Sequence, residues 1–420
     1  MKVWIIQTGE PIHIDNGKLR PMRAMNLSDY LIKAGHKVTL WTSAFDHAKK
    51  SHRSKKFKKI IYNNSLEILL IPSIGYSGNI SVKRLLDHFI LGYNLKKKFS
   101  EKDQDLPDIA FIGYPPIETA YVGINFLKKH NIPTILDIKD LWPSLFLEPF
   151  PKILKPIARL LFHPYFYIAK KTIRNSYTIC SMSEDYINWT NSFSKRKINS
   201  KNIIAPLSTR IQILNKNEIE NAKNWWKKFG IIEKNNSRFY FVGNINSSYD
   251  FKLVRDSLKK LKESKIDFQF IICGEGSELE KTKSLFDYFS NVVFPGWIDY
   301  PKIKVLGELS NSAIIPYKNI ENFQLNMTNK VSDALSLGTP IISSVDGLLA
   351  KFIEENNVGF TCTKKSGINM HEAILKLIKD KYLREKMSKN CIEIYNRSYN
   401  ADNVYKTLVK RMEKIIQNKI

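Results

Sequence analysis

The feature that most constrains the fold is a series of short, continuous apolar runs rich in β-branched residues, separated by stretches with helical periodicity. The first series comprises KVWIIQT, KVTLWTS, EILLIPS, DIAFIGY, TILDIK, YTICSMS and NIIAP, and the second comprises RFYFVGN, FQFIICG, NVVFPG, SAIIPY, PIISS and VGFTC. Continuous apolar runs indicate strands buried on both faces, as in parallel sheets covered by helices. The sequence therefore predicts an α/β chain with two Rossmann-like, doubly wound parallel-sheet domains.

The break between the two series predicts the domain organisation. Residues 1–208 form the first predicted domain and residues 237–399 the second, joined by a polar, repeat-free linker at 209–236. Residues 400–420 predict an amphipathic helix, which we expect to pack back on the first domain. Ligands bind at the carboxyl ends of strands in open α/β sheets, and polar loops follow the strands of both series. We therefore expect a cleft between the two domains.

The charge balance favours polyanionic partners. The net charge is +26, from 66 Lys and Arg against 40 Asp and Glu, which suits nucleic acid, an anionic membrane face or phosphorylated substrates. The basic segment Lys49–Lys59 predicts a solvated loop, or else a site that attracts acidic lipid. The segment Lys152–Arg174 mixes apolar, aromatic and basic residues, and predicts either a core helix pair broken at Pro164 or an interfacial membrane-docking element.

Several functional classes have no support in the sequence. The four cysteines are widely separated and show no zinc or redox spacing, so a reduced, cytoplasmic setting is expected. No apolar run reaches the roughly 18 residues of a membrane span. A P-loop, a Ser–His–Asp order and a metal cluster are also absent from the sequence pattern.

The stretch NMTNKVSDALSLGTPIISS predicts a helix that Thr328 or Asn329 caps. Lys330 and Asp333 are three residues apart, so they share a face near the helix N-terminus. There, free N–H groups and the positive helix end suit a phosphate, and a carboxylate one turn deeper suits a sugar diol. For an isolated pair of this kind, a solvated ion pair is the alternative.

Two further loops follow predicted strands of the second domain. GNINSSYD places Gly243 and Asn244 at a predicted helix start, where amides and hydroxyls suit a diphosphate. GEGSELE contains Gly274, Glu275 and Gly276, and its glycines let the backbone approach a base or a ribose. A polar N-cap loop and a simple strand-to-helix turn remain equally consistent with these two loops.

The motifs, in this order, resemble retaining glycosyltransferases with the GT-B fold, of the large family 4 that builds bacterial envelope polysaccharides. The resemblance covers most of the chain and rests on RPMRAMNLSDYLIKAGHKVTLWTSAFDH, PTILDIKDLWPS, FVGNI, IICGEGSELE, NVVFPGWI, IIPY and TNKVSDALSLGTPII. It implies an enzyme that moves a sugar from a nucleotide-diphosphate donor, with a UDP-sugar favoured, in capsule, O-antigen or exopolysaccharide synthesis. It also implies a retaining, metal-independent reaction that uses no cofactor.

The resemblance assigns roles to individual residues. Lys330 matches the position that faces the donor diphosphate, and Asp333 matches the glutamate that holds the ribose hydroxyls. The resemblance also places Asn329 and the two glycine loops in the donor site. Asp140, just past a strand in DLWPS, is a candidate for substrate contact or acid–base work beside Lys330 and Asp333, with a helix N-cap as its alternative. Leu325 departs from the family's Glu-x7-Glu pattern, since a glutamate would stand there.

The predicted acceptor lies on the first domain. Gly17, Arg20 and Arg23 are expected to meet a diphosphate or an anionic acceptor, with the two arginines three residues apart at a helix start. A lipid-linked saccharide at the inner face of the cytoplasmic membrane, with the protein bound peripherally, would explain the basic and aromatic segments. Two rivals remain: a GT-B-fold nucleotide-sugar epimerase and a basic nucleic-acid-binding protein.

Overall fold

A computed structural model of the chain describes residues 1–17, 20–78, 81–101, 105–197, 201–233 and 237–418. Residues 234–236 of the predicted linker and 419–420 of the predicted last helix lie outside this description. The chain divides into two compact units. The first unit comprises Met1–Pro206 and Val404–Ile420, and the second comprises Leu207–Asn403.

The first unit is built on one large sheet. Its strands are β1 (Lys2–Ile6), β2 (Lys37–Ser43), β3 (Phe45–Asp46), β4 (Ser51–His52), β5 (Lys58–Asn63), β6 (Leu66–Ile71), β7 (Ile109–Tyr114), β8 (Thr134–Ile138), β9 (Thr178–Ser181) and β10 (Ile203–Ile204). Eight of them form a sheet in the order β10-β9-β8-β7-β1-β2-β6-β5, while β3 and β4 form a separate antiparallel ribbon. Among the strand pairs that the described residues form in the large sheet, only the edge pair β5–β6 is antiparallel.

Helices cover this sheet because its central strands are buried on both faces. They are α1 (Arg23–Lys33), α2 (Val82–Phe99), α3 (Ile117–Lys129), α4 (Lys155–Leu161), α5 (His163–Asn175) and α6 (Glu184–Ser194). Two short 3-10 turns, Ser144–Leu147 and Lys152–Leu154, precede α4. Every strand predicted for this part of the chain is present.

The second unit has a fully parallel sheet of six strands in the order β13-β12-β11-β14-β15-β16. These are β11 (Arg238–Val242), β12 (Gln269–Cys273), β13 (Val292–Gly296), β14 (Ser312–Ile315), β15 (Ile341–Ser343) and β16 (Gly359–Thr361). All six coincide with predicted strands. The prediction of an α/β chain with two Rossmann-like parallel-sheet domains is therefore confirmed.

Most helices of the second unit lie between its strands along the chain. They are α7 (Lys216–Lys227), α8 (Phe251–Glu263), α9 (Leu279–Phe286), α10 (Tyr300–Glu308), α11 (Glu321–Gln324), α12 (Asn329–Ser336), α13 (Leu348–Asn356), α14 (Met370–Lys379) and α15 (Lys381–Ile394). Helix α7 lies inside the predicted linker, where Asn215 and Glu218 form a reciprocal capping box at its start.

The last helix, α16 (Ala401–Gln417), belongs to the first unit from Val404 onward. In that unit Tyr405 stacks on Tyr30 of α1, with ring centroids 5.6 Å apart and both rings buried. Over the described part of the chain, no helix has the length and apolar character needed to cross a membrane.

Candidate active site

Helix α12 presents the predicted pair on one face. It begins at Asn329 after Thr328, whose side chain forms no capping hydrogen bond, and it buries Val331 on its opposite side. Lys330 and Asp333 line the same small cavity, whose other walls come from β11, α10 and β14. The shared face that the spacing predicts is therefore present.

The ammonium group of Lys330 lies against aromatic rings and a glycine. Its Nζ is 5.4 Å from the ring centroid of Phe241 and 5.3 Å from that of Tyr249. A Cβ at Gly243 would collide with this ammonium, so a larger residue there would displace the Lys330 side chain from its present position. Within the described residues, no carboxylate lies within 4.0 Å of Nζ. The two ring faces stabilise the cation while leaving it available to an anion.

The two glycine loops are hydrogen-bonded to each other beyond the ends of β11 and β12. The Gly243 amide donates to the Cys273 carbonyl at 3.0 Å, and the Ile245 amide donates to the Glu275 carbonyl at 2.7 Å. Gly274 has a left-handed φ of +134°, and a Cβ there would strike the backbone oxygen of Gly243. Glycine is thus required at 274 by both conformation and space.

This pairing leaves several amides of the two loops without protein acceptors, and one of the loops contains Gly243, which lies against Lys330. In the described part of the chain, the amides of Asn244, Glu275 and Gly276 donate to no backbone or side-chain group. Unpaired amides near a cation form a favourable environment for phosphate oxygens. The helix predicted at Gly243 starts later than expected, because α8 begins at Phe251 and the Asp250 side chain caps it.

Asp333 is held by hydrogen bonds to the start of the second unit. Thr209 Oγ1 donates to Asp333 Oδ1 at 2.6 Å, and the Thr209 amide donates to Ser332 Oγ at 2.9 Å. Tyr395 in turn donates to the Thr209 carbonyl at 2.8 Å. The carboxylate is therefore fixed in orientation, which a bidentate contact with a ribose diol requires.

Asp140 lies in the first unit, on a cavity of about 200 Å³ that is open to solvent. It caps no helix, because the next turn starts at Ser144 with Pro143 before it. Burial raises the pKa of Asp140 to about 6, although the positive charges of Arg84 and Lys139 act in the opposite direction.

The structure does not support the predicted anion-binding role of Arg23. Its guanidinium is buried, with Nε 3.2 Å from Asp137 Oδ2, and it donates to the Ala205 carbonyl at 2.7 Å. Helix α1 begins at Arg23 itself, so Arg20 precedes the helix instead of sharing a face with it. Gly17, with a left-handed φ of +107°, and Arg20 are both exposed.

Sequence reasoning missed four residues that line the Asp140 cavity: His47, Tyr76, Arg84 and His88. His47 lies shortly after β2. Since ligands bind at the carboxyl ends of strands in open α/β sheets, this position could have been predicted from the sequence. Arg84 and His88 lie on α2, and only tertiary packing brings them to this edge of the sheet. Among the described residues, no group of His, Cys, Asp or Glu is arranged to hold a metal ion.

Comparisons with known proteins relate part of the chain to a family and the whole chain to solved folds. Residues 223–393 match the family model described as glycosyl transferases group 1. No curated protein sequence matches the chain significantly. A sucrose-phosphate synthase from Thermosynechococcus elongatus superposes with a TM-score of 0.74, at 13% identity over 99% of both chains.

Two further solved structures resemble the whole chain. HepE from Anabaena, solved with UDP and glucose, has a TM-score of 0.67 at 12% identity, covering 99% of this chain and 100% of its own. WaaG, a glycosyltransferase involved in lipopolysaccharide biosynthesis, has a TM-score of 0.65 at 12% identity, covering 97% and 99%. At such identities these likenesses show the fold, and they confirm the predicted GT-B architecture.

Proposed function

We propose that this chain moves a sugar from a nucleotide-diphosphate donor to a lipid-linked or polysaccharide acceptor in envelope polysaccharide synthesis. The chain is a transferase enzyme, and its residues 223–393 match the group 1 glycosyl transferases. The observation that carries this proposal is the arrangement around Lys330: a cation on two ring faces, beside unpaired amides and one turn from a fixed carboxylate. Among the described residues no comparable arrangement supports an epimerase or a nucleic-acid binder, and the family match favours neither.

The donor chemistry follows from charge. When the glycosidic bond breaks, negative charge grows on the departing diphosphate, and Lys330 with the amides of Asn244, Glu275 and Gly276 would stabilise it. Asp333 would accept hydrogen bonds from the ribose, as the resemblance to family 4 implies. A UDP-sugar is the favoured donor, because HepE was solved with UDP and with UDP-glucose.

We propose a retaining reaction, in which the departing phosphate takes the proton of the acceptor hydroxyl as the new bond forms on the same face of the sugar. This route needs neither a metal ion nor a cofactor. Proton NMR of the first-formed product, compared with the anomeric configuration of the donor, checks it.

Membrane association is supported by exposed apolar side chains on the first unit. In the turn before α4 and in α4 itself, Ile153 is 84% exposed, Leu160 76% and Leu161 71%. Lys152 and Arg159 are exposed among them. Apolar side chains interleaved with basic ones suit the interface of an anionic bilayer, where a lipid-linked acceptor would be found.

The first experiment measures thermal stabilisation by UDP, GDP, dTDP and CMP. We expect one nucleotide diphosphate to raise the melting temperature of the wild type and to lose this effect in Lys330→Ala. The control is Lys351→Ala, an exposed lysine of the second unit whose ammonium lies 3.8 Å from Glu355. Equal shifts in the wild type and Lys330→Ala, or none with any nucleotide, would contradict the proposal.

A further inference from the structure

The rings that hold the ammonium of Lys330 belong to a larger aromatic cluster of the second unit. The Tyr249 ring lies edge to face with Phe241 and tilted against Tyr317, with centroids 4.8 Å away in both cases. Tyr317 stacks in turn on Phe323 of α11, at 4.4 Å. A row of rings therefore leads from Lys330 to the segment between β14 and α12.

A hydrogen bond between two buried hydroxyls fixes the rotation of the Tyr249 ring. The Tyr249 hydroxyl donates to the Tyr317 hydroxyl at 3.2 Å, and the two residues are 8% and 6% exposed. Burial and the neighbouring Tyr317 raise the pKa of Tyr249, so its hydroxyl stays protonated at neutral pH and can donate. A ring held in this way keeps one face toward the cation.

The backbone on either side of the two tyrosines is also joined. The tyrosines pair as an isolated antiparallel β-bridge. Beside it, the Asp250 amide donates to the Pro316 carbonyl at 2.7 Å, and the Lys318 amide donates to the Ser248 carbonyl at 2.9 Å. Because these bonds link the loop after β11 to the segment after β14, we expect the two to move together.

A carboxylate anchors the segment that carries Tyr317. Asp346, shortly after β15, accepts hydrogen bonds from Asn319 Nδ2 and Thr363 Oγ1, both at 2.7 Å. Asn319 Oδ1 accepts in return from the Asp346 amide at 3.1 Å and from Gln324 Nε2 at 2.9 Å. Desolvation alone would raise the pKa of Asp346, but the hydrogen bonds from Thr363 and Asn319 lower it. The carboxylate is therefore ionised at neutral pH, and its hydrogen bonds are charge-assisted.

The alignment of the rings with the ammonium has a consequence for anion binding. A lysine side chain is long and takes many rotamers, so an anion that binds it must first restrict it. In a purely hydrophobic core the rings would contribute to stability alone. Here Phe241 and Tyr249 also face Lys330 Nζ, at 5.4 and 5.3 Å. Charge that grows on a departing diphosphate would thus meet a cation already in place.

We propose that Tyr249 is a positioning residue for Lys330, that the Tyr317 hydroxyl holds its ring, and that Asp346 anchors the segment from which Tyr317 projects. The inference rests on the proposed function, since the ammonium held in this way is the group that would meet the donor diphosphate. Tyr249 acts on the donor only through Lys330.

A double-mutant cycle on the full-length protein tests this route, with the affinity for UDP measured by isothermal titration. We expect Tyr249→Leu to weaken UDP binding about tenfold, because it removes a ring face from a partly desolvated cation. In the Lys330→Ala background, the same change should have little further effect. Tyr249→Phe and Tyr317→Phe keep the rings and remove only the hydroxyl bond, so each should lose about threefold. Asp346→Ala should lose a similar amount, again only while Lys330 is present.

Uridine, which lacks the diphosphate, separates positioning from a general effect on folding. Its binding, followed by saturation-transfer NMR, should be the same in the wild type and in Tyr249→Leu. The matched control is Tyr399→Leu, at a tyrosine of the second unit that is 7% exposed and packs on Phe352 at 5.7 Å. This variant should keep the UDP affinity of the wild type. Should Tyr249→Leu fail to fold, Tyr249→Phe and Asp346→Ala carry the same cycle.

Three results would overturn the positioning role. They are a wild-type UDP affinity in Tyr249→Leu, an equal loss for UDP and uridine, and an undiminished effect of Tyr249→Leu once Lys330 is alanine. Failure of the proposed function looks different. In that case Lys330→Ala binds UDP as tightly as the wild type, or UDP binds neither protein, and the positioning role is rejected with it.

Discussion

At the scale of single residues, the proposed donor site depends on how its two charged side chains are held in place. Lys330 interacts with ring faces, while Asp333 is oriented by Thr209. The sequence predicted the shared face of this pair because three-residue spacing fixes it. It did not predict the burial of Arg23, whose partner Asp137 lies on a strand more than a hundred residues later.

If Asp333 binds the ribose hydroxyls, its effect must depend on the 2′-hydroxyl. We expect Asp333→Asn to weaken UDP binding by about tenfold, because a charge-assisted hydrogen bond becomes a neutral one. Binding of 2′-deoxy-UDP should already be weak and should change little on mutation. The amide oxygen can still accept from Thr209, so the local fold should be preserved. Isothermal titration of both nucleotides against both proteins checks this, and an equal loss for the two nucleotides would contradict the ribose contact.

At the scale of elements, the burial of each strand determined whether it could be predicted from the sequence. The parallel strands of both sheets are continuous apolar runs, so they were found from the sequence. Strand β5 was missed because it lies at the sheet edge and exposes five of its six residues. With β4, it occupies part of the basic segment for which a loop was predicted. The paired glycine loops after β11 and β12 were identified, but not their mutual hydrogen bonds.

The close approach of these loops predicts an unequal cost for two glycine substitutions. Gly274→Ala should destabilise the protein by about 2–4 kcal/mol, because its Cβ meets the Gly243 backbone and its φ is +134°. Gly230→Ala, at φ +70° with no atom within 4 Å, should cost only about 1 kcal/mol. Urea unfolding of both variants measures the difference, and equal losses would show that the loop yields to the added methyl group.

At the scale of the whole molecule, the net charge of +26 and the exposed apolar side chains of α4 both bear on the proposed membrane docking. The segment Lys152–Arg174 was predicted as either a core helix pair or a docking element. In the structure, α5 buries Phe166 and Ile173, whereas α4 buries only Ala158. The core alternative therefore describes α5, whereas for the exposed α4 the docking alternative stays a prediction; composition alone could not divide the segment in this way.

Vesicle sedimentation tests the docking role of α4. We expect the wild type to bind vesicles containing phosphatidylglycerol more tightly than pure phosphatidylcholine vesicles, and to release as salt increases. The double variant Ile157→Ser/Leu160→Ser should bind about tenfold or more weakly, since it removes two apolar side chains from the interface. Tyr288→Ser, at a residue of the second unit that is 72% exposed, is the control. An unchanged affinity of the double variant would exclude α4 as the docking element.

The assignment of Val404 onward to the first unit has a consequence for synthesis. The ring of Tyr30 is made early by the ribosome, but its stacking partner Tyr405 emerges only after the whole second unit has been translated. The unit whose synthesis begins first therefore obtains its last packing element at the end of translation. Until then, the surface of α1 that this helix covers stays open to solvent, and to any chaperone that recognises apolar side chains on a nascent chain.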